Sequence, residues 1–193
     1  MPRRLRISVP CMKGKHSIST GIGLPAFFPS RQDYELMIRL KTGALAALAA
    51  YTGMRAAGKE HEESNVFASL FAGVGIGFQI LDDVKNISTG NAGKKRGDDI
   101  VEGKKSLPVI LHIEKHPEDA AALTAYFEQA RREGIDSPAV EKAIALLSSS
   151  GAIAEAEMQG RSAIDAVLKQ LDERYGTAAR EMFGALFALM QGK

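Results

Sequence analysis

The sequence is poor in the residues that cross-link small secreted proteins and in those that contact nucleic acid. Its 193 residues include one cysteine, no tryptophan and seven prolines, and aromatic residues make up 6%. The lone Cys11 excludes an internal disulfide and is typical of a reducing compartment, so we expect a cytoplasmic protein. The net charge is only +2, and the basic residues are mixed with acidic ones rather than forming a stripe. We therefore predict no nucleic-acid partner.

Long apolar runs and early acidic residues are also missing. No hydrophobic run reaches the roughly 18 residues that a bilayer requires, so we predict no transmembrane segment. Residues 1–32 contain no Asp or Glu but six Lys or Arg residues. Such a start resembles an organelle transit peptide, although it shows no clear amphipathic period, and organelle targeting stays open as an alternative location. The predicted organisation is a basic, acid-free tail over 1–29 and a helical domain over 30–193.

The helical signals begin at Ser30. Asp33 follows three residues later, which is a variant of the capping box at a helix N-terminus. Spacings of three and four residues then predict one buried helix face, with Gly58 ending the helix. The members of this predicted face are Tyr34, Ile38, Lys41, Leu45 and Leu48.

The remaining pattern is helical as well. A second helix is predicted from Glu62 to Ile87, and it should lie inside the bundle because residues 64–81 carry no charge. Shorter helices are predicted over 107–114, 117–134 and 137–151, followed by a pair that meets at Gly176. No strand-like alternation persists. The predicted fold class is all-α, an antiparallel helical bundle.

Three segments carry candidate chemistry, and Lys41 is the first. A lysine on an apolar helix face either extends its stem to reach solvent or meets an anion in a cleft. Thr42 supplies a hydroxyl donor and Gly43 permits close approach of a backbone. The sequence therefore favours an anion at this position.

The second segment ends the long helix. Gln79, one of the two aspartates Asp82 and Asp83, and Asn86 share one helix face. Adjacent carboxylates near an amide suit a hard divalent ion such as Mg²⁺, which takes its other ligands from water and phosphate. The alternative is a solvated helix end in which the aspartates pair with Lys85.

The third segment is the glycine- and lysine-rich stretch over 93–105. Lysines between glycines are able to close over a polyanion and exclude water, as catalytic lids do. The alternative is an exposed charged loop, which is the commoner fate of such runs.

In their order and spacing, these segments closely resemble the C-terminal half of the trans-isoprenyl diphosphate synthases, also called polyprenyl synthetases. The resemblance extends from Ser30 to the C-terminus, and it rests on Lys41-Thr42-Gly43, on 75–83 and on 93–108. It implies an isoprenoid-synthase type of helical bundle, incomplete at its N-terminus. It also implies prenyl transfer, in which the double bond of isopentenyl diphosphate attacks the carbocation left by an ionised allylic diphosphate.

The resemblance assigns roles to individual residues. The residues that it implies for diphosphate binding are Lys41, Thr42, Gln79, Lys94 and Lys104. The first three are the predicted catalytic residues, and Lys95 is an alternative to Lys94 because the local spacing admits either. Asp82 and Asp83 are the implied ligands of the cofactor Mg²⁺.

Two departures from the family pattern matter. Asn86 stands where the second aspartate motif of the family usually has a third Asp, which is expected to lower metal affinity. Only 40 residues precede Lys41, and none of them forms the first aspartate-rich motif of the family. We therefore expect a truncated prenyltransferase, impaired alone. The alternative is a non-catalytic half-length partner subunit that regulates a full-length synthase.

The missing half also predicts an assembly. The helix over 62–87 is apolar on nearly all sides, so we expect Phe67, Phe71 and Phe78 to be partly uncovered. Such a face favours a homo-oligomer or a complex with a partner synthase subunit.

Overall fold

The computed structural model describes residues 28–90, 93 and 95–190, and every regular element within these residues is helical. The all-α class is therefore confirmed. The tail over 1–29 lies almost entirely outside the described residues. The helices are α1 (Arg31–Ile38), a π-helical segment (Arg39–Gly43), α2 (Ala44–Ala56), α3 (His61–Ser88), α4 (Asp98–Val101), α5 (Leu107–Lys115), a 3₁₀ turn (Pro117–Asp119), α6 (Ala120–Glu133), α7 (Pro138–Ser149), α8 (Ala152–Tyr175) and α9 (Thr177–Met190).

The helix ends lie close to where the local residues predict them. The Asp33 N–H donates to Ser30 Oγ at 3.1 Å, and the Ser30 N–H donates to Asp33 Oδ2 at 3.2 Å, which completes the capping box. The Ser137 hydroxyl oxygen caps α7 by accepting the Ala139 N–H at 3.3 Å. Gly176 separates α8 from α9. These ends are determined by short-range chemistry, which is why the sequence predicts them.

The π-helical segment changes which face of the first helix is buried. It adds one residue to a helical turn, which rotates all following side chains by about 100°. Tyr34 and Ile38 before it are 1% exposed, but Leu45 and Leu48 after it are 67% and 61% exposed. The predicted apolar face is therefore wrong beyond Ile38. The buried side continues instead through Gly43.

α3 is the central helix, and it packs between the α1–α2 region and α8. Glycines allow the close approach on both sides. A Cβ atom on Gly75 would lie 2.9 Å from the Thr42 carbonyl oxygen and 3.0 Å from Gly43 Cα. A Cβ on Gly77 would lie 2.8 Å from the Gly160 carbonyl oxygen. Larger residues at these positions would push the helices apart.

The aromatic residues of α3 are covered by α9. Phe71 packs edge-on against Phe183 with ring centroids 5.1 Å apart, and Phe78 packs edge-on against Phe187 at 5.9 Å. Phe67, Phe71 and Phe78 are half-buried, which agrees with the expectation that they are partly uncovered. They do not lack a partner, because aromatic rings of α9 contact each of them. Large exposed apolar side chains lie on other helices. On α1, the π-helical segment and α2 they are Leu36, Met37, Leu40, Leu45 and Leu48.

By length and mean hydropathy, α3 is the one helix within the described residues that could cross a membrane. The sequence shows no unbroken apolar run of this length, because small and amide side chains interrupt it. These side chains add no charge, so the mean hydropathy of the helix stays high. A core helix of a bundle has the same composition. Its packing against α2 and α8 accounts for that composition here.

Candidate functional site

The π-helical segment brings Thr42 to the polar end of α3. The Thr42 hydroxyl donates to Gln79 Oε1 at 2.8 Å, and Gln79 Nε2 donates to Asp83 Oδ1 at 3.0 Å. Gln79 and Asp83 lie four residues apart, one above the other on the helix. The two bonds together fix the orientation of the Gln79 amide. Three residues that the sequence singles out are therefore linked in one hydrogen-bonded chain.

Asp83 is the centre of this arrangement. Its side chain has no solvent exposure, and a buried carboxylate is stable only when donors surround it. Besides Gln79, it accepts from the Tyr34 hydroxyl at 2.8 Å and from Lys104 Nζ at 2.6 Å. Burial, followed by the charge of Asp83, raises the pKa of Tyr34, so this phenol stays a protonated donor. Asp83 is thus occupied by donors, and a metal ion would have to displace one of them.

Lys104 bridges two buried carboxylates. Its ammonium lies 2.6 Å from Asp83 Oδ1 and 3.0 Å from Asp99 Oδ2, and Asp99 is 2% exposed. Burial acts to lower the pKa of Lys104, but the charges of Asp83 and Asp99 and their hydrogen bonds raise it overall. Lys104 therefore remains a cation through the physiological range. We call this group of residues the Asp83 network: Tyr34, Thr42, Gln79, Asp83, Asp99 and Lys104.

Asn86 fixes the position of α4, the helix that contains Asp99 of the Asp83 network. Its side-chain carbonyl accepts the Asp99 N–H at 3.0 Å, and its backbone carbonyl accepts the Gly97 N–H at 2.8 Å. Gly97 has a φ of +91°, which the turn into α4 requires and which glycine adopts without strain. Asn86 is 1% exposed and faces α4. At this position an amide oxygen accepts a backbone N–H without adding another buried charge beside Asp83 and Asp99.

Asp82 points away from its neighbour. Successive residues of a helix are turned by about 100°, and Asp82 is exposed where Asp83 is buried. The Asp82 side chain lines a cleft of about 390 Å³ between α3, α8 and α9. Residues around this cleft include Phe78, Leu81, Asp82, Lys85, Glu157 and Arg161. The predicted aspartate pair is therefore divided between a buried network and an open cleft.

The remaining predicted lysines lie at the surface or outside the described residues. Lys41, which the predicted stripe would have buried, is exposed on the π-helical segment. Within the described part of the chain, no hydrogen bond or ion pair engages its ammonium. Lys95 is 70% exposed, with its Nζ 3.7 Å from Asp136. Lys94 lies outside the described residues, so the choice between Lys94 and Lys95 stays a prediction.

Sequence reasoning missed two members of the Asp83 network. Tyr34 was predicted to be a member of an apolar face, because nothing local shows that its hydroxyl meets an aspartate 49 residues away. Asp99 lies in a charged segment, and nothing in the local sequence distinguishes it from its charged neighbours. Gly43 was predicted to admit an anion, but it lies buried against α3, where an added Cβ would be 3.2 Å from the Ala72 carbonyl oxygen.

Comparison with known proteins shows that this chain is similar to prenyl diphosphate synthases. The family model for polyprenyl synthetase matches residues 25–147, which is more than half of the chain. Geranylgeranyl pyrophosphate synthase 2 of Zymoseptoria tritici is 33% identical over 128 residues, which cover 65% of this chain and 37% of that protein.

Solved structures agree with this match. The geranylgeranyl pyrophosphate synthetase of Pyrococcus horikoshii superimposes with a TM-score of 0.72 at 29% identity, covering 86% of this chain and 50% of that one. The polyprenyl synthase of Caulobacter crescentus, complexed with calcium and isoprenyl diphosphate, gives 0.70 at 27% identity, covering 85% and 50%. The chain thus spans about half the length of these solved relatives, and the match to the curated one covers about a third of its length.

Proposed function

Because the chain belongs to the polyprenyl synthetase family, we propose that it acts in prenyl transfer by binding an allylic diphosphate for condensation with isopentenyl diphosphate. The observation that carries this proposal is the Asp83 network. It joins three segments far apart in sequence, and it directs a cationic lysine to one end of α3. Lys104 is half-buried beside a glycine-rich loop, and its ammonium keeps one N–H that neither carboxylate uses, which supports an anionic ligand.

Lys104 is the proposed phosphate donor of the network. An ammonium has three N–H groups, and Asp83 and Asp99 use two of them. The side chain is 30% exposed, so the third N–H is able to reach a phosphate oxygen. Lys41, exposed beside Thr42, supplies a second cation. Together, these two positive charges would stabilise the negative charge that develops on the departing diphosphate.

Thr42 and Gln79 are proposed to position the site. The Thr42 hydroxyl is directed at Gln79, which fixes the amide so that one N–H meets Asp83. The second N–H of the Gln79 amide is the donor that it offers to a phosphate oxygen. An amide held in this way loses little conformational freedom when the ligand binds.

Asp82 fits the Mg²⁺ that we propose as the cofactor. Its carboxylate is exposed at the cleft, and exposed carboxylates that leave room for water and phosphate suit Mg²⁺. Asp83 fits only if Lys104 or another donor moves away. When bound, Mg²⁺ would neutralise diphosphate oxygens and assist their departure. We therefore assign the direct contact to Asp82, and we propose that Asp83 acts by holding Lys104.

Calorimetry with an unreactive allylic thiolodiphosphate and Mg²⁺ tests the anion site. Lys41→Ala should weaken binding about tenfold, because it removes a charge-assisted hydrogen bond worth about 1.5 kcal/mol. Lys142→Ala, which removes an exposed lysine from α7, is the matched control and should bind as the wild type does. Equal affinity for the wild type, Lys41→Ala and Lys142→Ala would contradict the role of Lys41.

A second candidate function is a non-catalytic subunit that docks on a full-length synthase. The apolar side chains exposed on the face of α1 and α2 favour it, since Leu40 and Leu45 are each 67% exposed. Mixing the chain with a full-length synthase, followed by gel filtration and product analysis, tests it. Co-elution together with a changed product would support this function, and separate elution would exclude it.

A further inference from the structure

We propose that the corner between α5 and α6 is a transition-metal site for an ion of the Zn²⁺ type, held by His116, Glu118 and Asp119. One ligand atom of each residue lies within 4.8 Å of the other two. None of these residues belongs to the Asp83 network or borders the cleft at Asp82. The site is therefore independent of the proposed prenyl transfer.

The backbone already brings the three side chains together. His116 follows the last residue of α5, and the 3₁₀ turn Pro117–Asp119 comes directly after it. The Asp119 N–H donates to the His116 carbonyl at 3.1 Å, and the ring of Pro117 fixes φ within the turn. His116 Nδ1 lies 3.3 Å from Glu118 Oε1. Ligand atoms about 3.3 Å apart are what tetrahedral zinc with bonds of about 2.0–2.2 Å requires.

His112 orients one of the three ligands. It is 1% exposed, and its Nε2 lies 3.1 Å from Asp119 Oδ2. Its Nδ1 is buried and has no hydrogen-bond partner among the described residues. A neutral imidazole carries one ring proton, and an unpaired buried N–H costs more than an unpaired ring nitrogen. The proton therefore belongs on Nε2, which donates it to Asp119.

This arrangement has the form of a metal site with a supporting shell. Ligating carboxylates are commonly held by a hydrogen bond from a second residue, and His112 holds Asp119 in this way. One imidazole and two carboxylates favour zinc and its neighbours over Mg²⁺, which prefers oxygen ligands alone. The ligands are partly exposed, so an ion is able to enter from solvent. Bound there, it would stabilise the corner between α5 and α6.

Zinc calorimetry with the whole chain tests the proposal. Cys11 and His16 are residues of types that also bind zinc, so the measurements use the double variant Cys11→Ser with His16→Ala as the background protein. Excess Mg²⁺ is added to occupy sites made of oxygen ligands alone. The background protein should bind one Zn²⁺ and melt at a higher temperature with it. His116→Ala and Glu118→Gln should each weaken binding at least tenfold, since even supporting residues contribute about 10–100-fold.

His61→Ala removes an exposed histidine from the start of α3 and is the matched control. It should leave zinc affinity unchanged. Glu118 is 69% exposed, so Glu118→Gln tests the site without risk to folding, even if His116→Ala fails to fold. No zinc binding by the background protein, or the same affinity in Glu118→Gln, would overturn the proposal.

Discussion

At the scale of single residues, Lys104 supplies a positive charge between two buried carboxylates. Asp83 has no exposure and Asp99 has almost none, and the Lys104 ammonium lies between them. Removing one partner of a buried ion pair costs far more than the pair contributes net, because it leaves uncompensated charge. The lysine therefore contributes to stability as well as to its proposed contact with phosphate.

Lys104→Met should therefore lower the free energy of unfolding by about 2–3 kcal/mol, which allows for the partial exposure of the lysine. Urea denaturation at neutral pH measures this change. Because the folded-state pKa of Lys104 is raised, the contribution persists until the pH passes above that pKa. Lys142→Met should change stability by less than about 0.5 kcal/mol. Equal effects of the two substitutions would contradict the bridging role.

At Lys105, the next residue, the surroundings lower the pKa instead of raising it. Burial, and then the charge of Arg131, lowers the pKa of Lys105 from 10.5 to about 8. Its ammonium also lies 3.9 Å from the ring centroid of Phe127 and 4.7 Å from that of Phe28, and these contacts favour the cation. Burial and aromatic contact therefore oppose each other at this residue.

If burial dominates, the unfolded chain binds more protons than the folded one between pH 8 and 10.5. Stability then rises with pH across this window. Lys105→Met should be more stable than the wild type by about 1 kcal/mol at neutral pH, discounted for screening, and the gap should close towards pH 10.5. Urea denaturation at a series of pH values measures the gap. A variant that is less stable at neutral pH would mean that the aromatic contacts outweigh burial.

At the scale of elements, the approach of α3 to the π-helical segment places Thr42 beside Gln79. The approach depends on Gly75, whose added Cβ would meet backbone rather than a flexible side chain. Gly53 in α2 offers a comparison, since a Cβ there meets nothing within 4 Å.

Gly75→Ala should destabilise the chain by about 1–3 kcal/mol and weaken diphosphate binding, because it pushes Thr42 away from Gln79. Gly53→Ala should stabilise it by about 0.5–1 kcal/mol through helix propensity alone. Urea denaturation of both variants, together with calorimetry of Gly75→Ala, measures these effects. Stabilisation of similar size at both positions would show that the helices do not meet at Gly75.

The helices also show which features of the fold the sequence alone predicts. The capping box at Ser30, the start of α7 and the break at Gly176 follow from local residues, and each is predicted correctly. The π-helical segment is not predicted, because its residues are ordinary and the contact between Gly43 and α3 is tertiary. The shift explains why the predicted face containing Lys41 and Leu45 is wrong beyond Ile38. Motif spacing selects the candidate residues, and distant packing decides which way each side chain points.

At the scale of the whole molecule, one side of the bundle carries an exposed apolar face. The five apolar side chains on α1, the π-helical segment and α2 are between 47% and 67% exposed. Burying one Leu stabilises a protein by roughly 1.5–3 kcal/mol. Several exposed together favour association.

We therefore expect copies of the chain to self-associate through this face. Light scattering after gel filtration should give a mass above that of the 20.7 kDa monomer. Leu40→Lys combined with Leu45→Lys should reduce the mass to that of a monomer, because it places two charges in the contact. A monodisperse wild-type monomer that binds no hydrophobic dye would contradict this expectation.

We propose that the end of α3 binds a diphosphate through a metal at Asp82 and through lysines, and calorimetry with an allylic thiolodiphosphate and Mg²⁺ measures this binding. We expect binding with Mg²⁺, loss of binding with a chelator, and at least tenfold weaker binding by Asp82→Asn, because one charged ligand contact is worth about 1.5 kcal/mol or more. Glu62→Gln, which removes an exposed carboxylate at the other end of α3, should bind as the wild type does. Equal affinity with and without the chelator, or in Asp82→Asn and the wild type, would show that no metal at Asp82 holds the diphosphate.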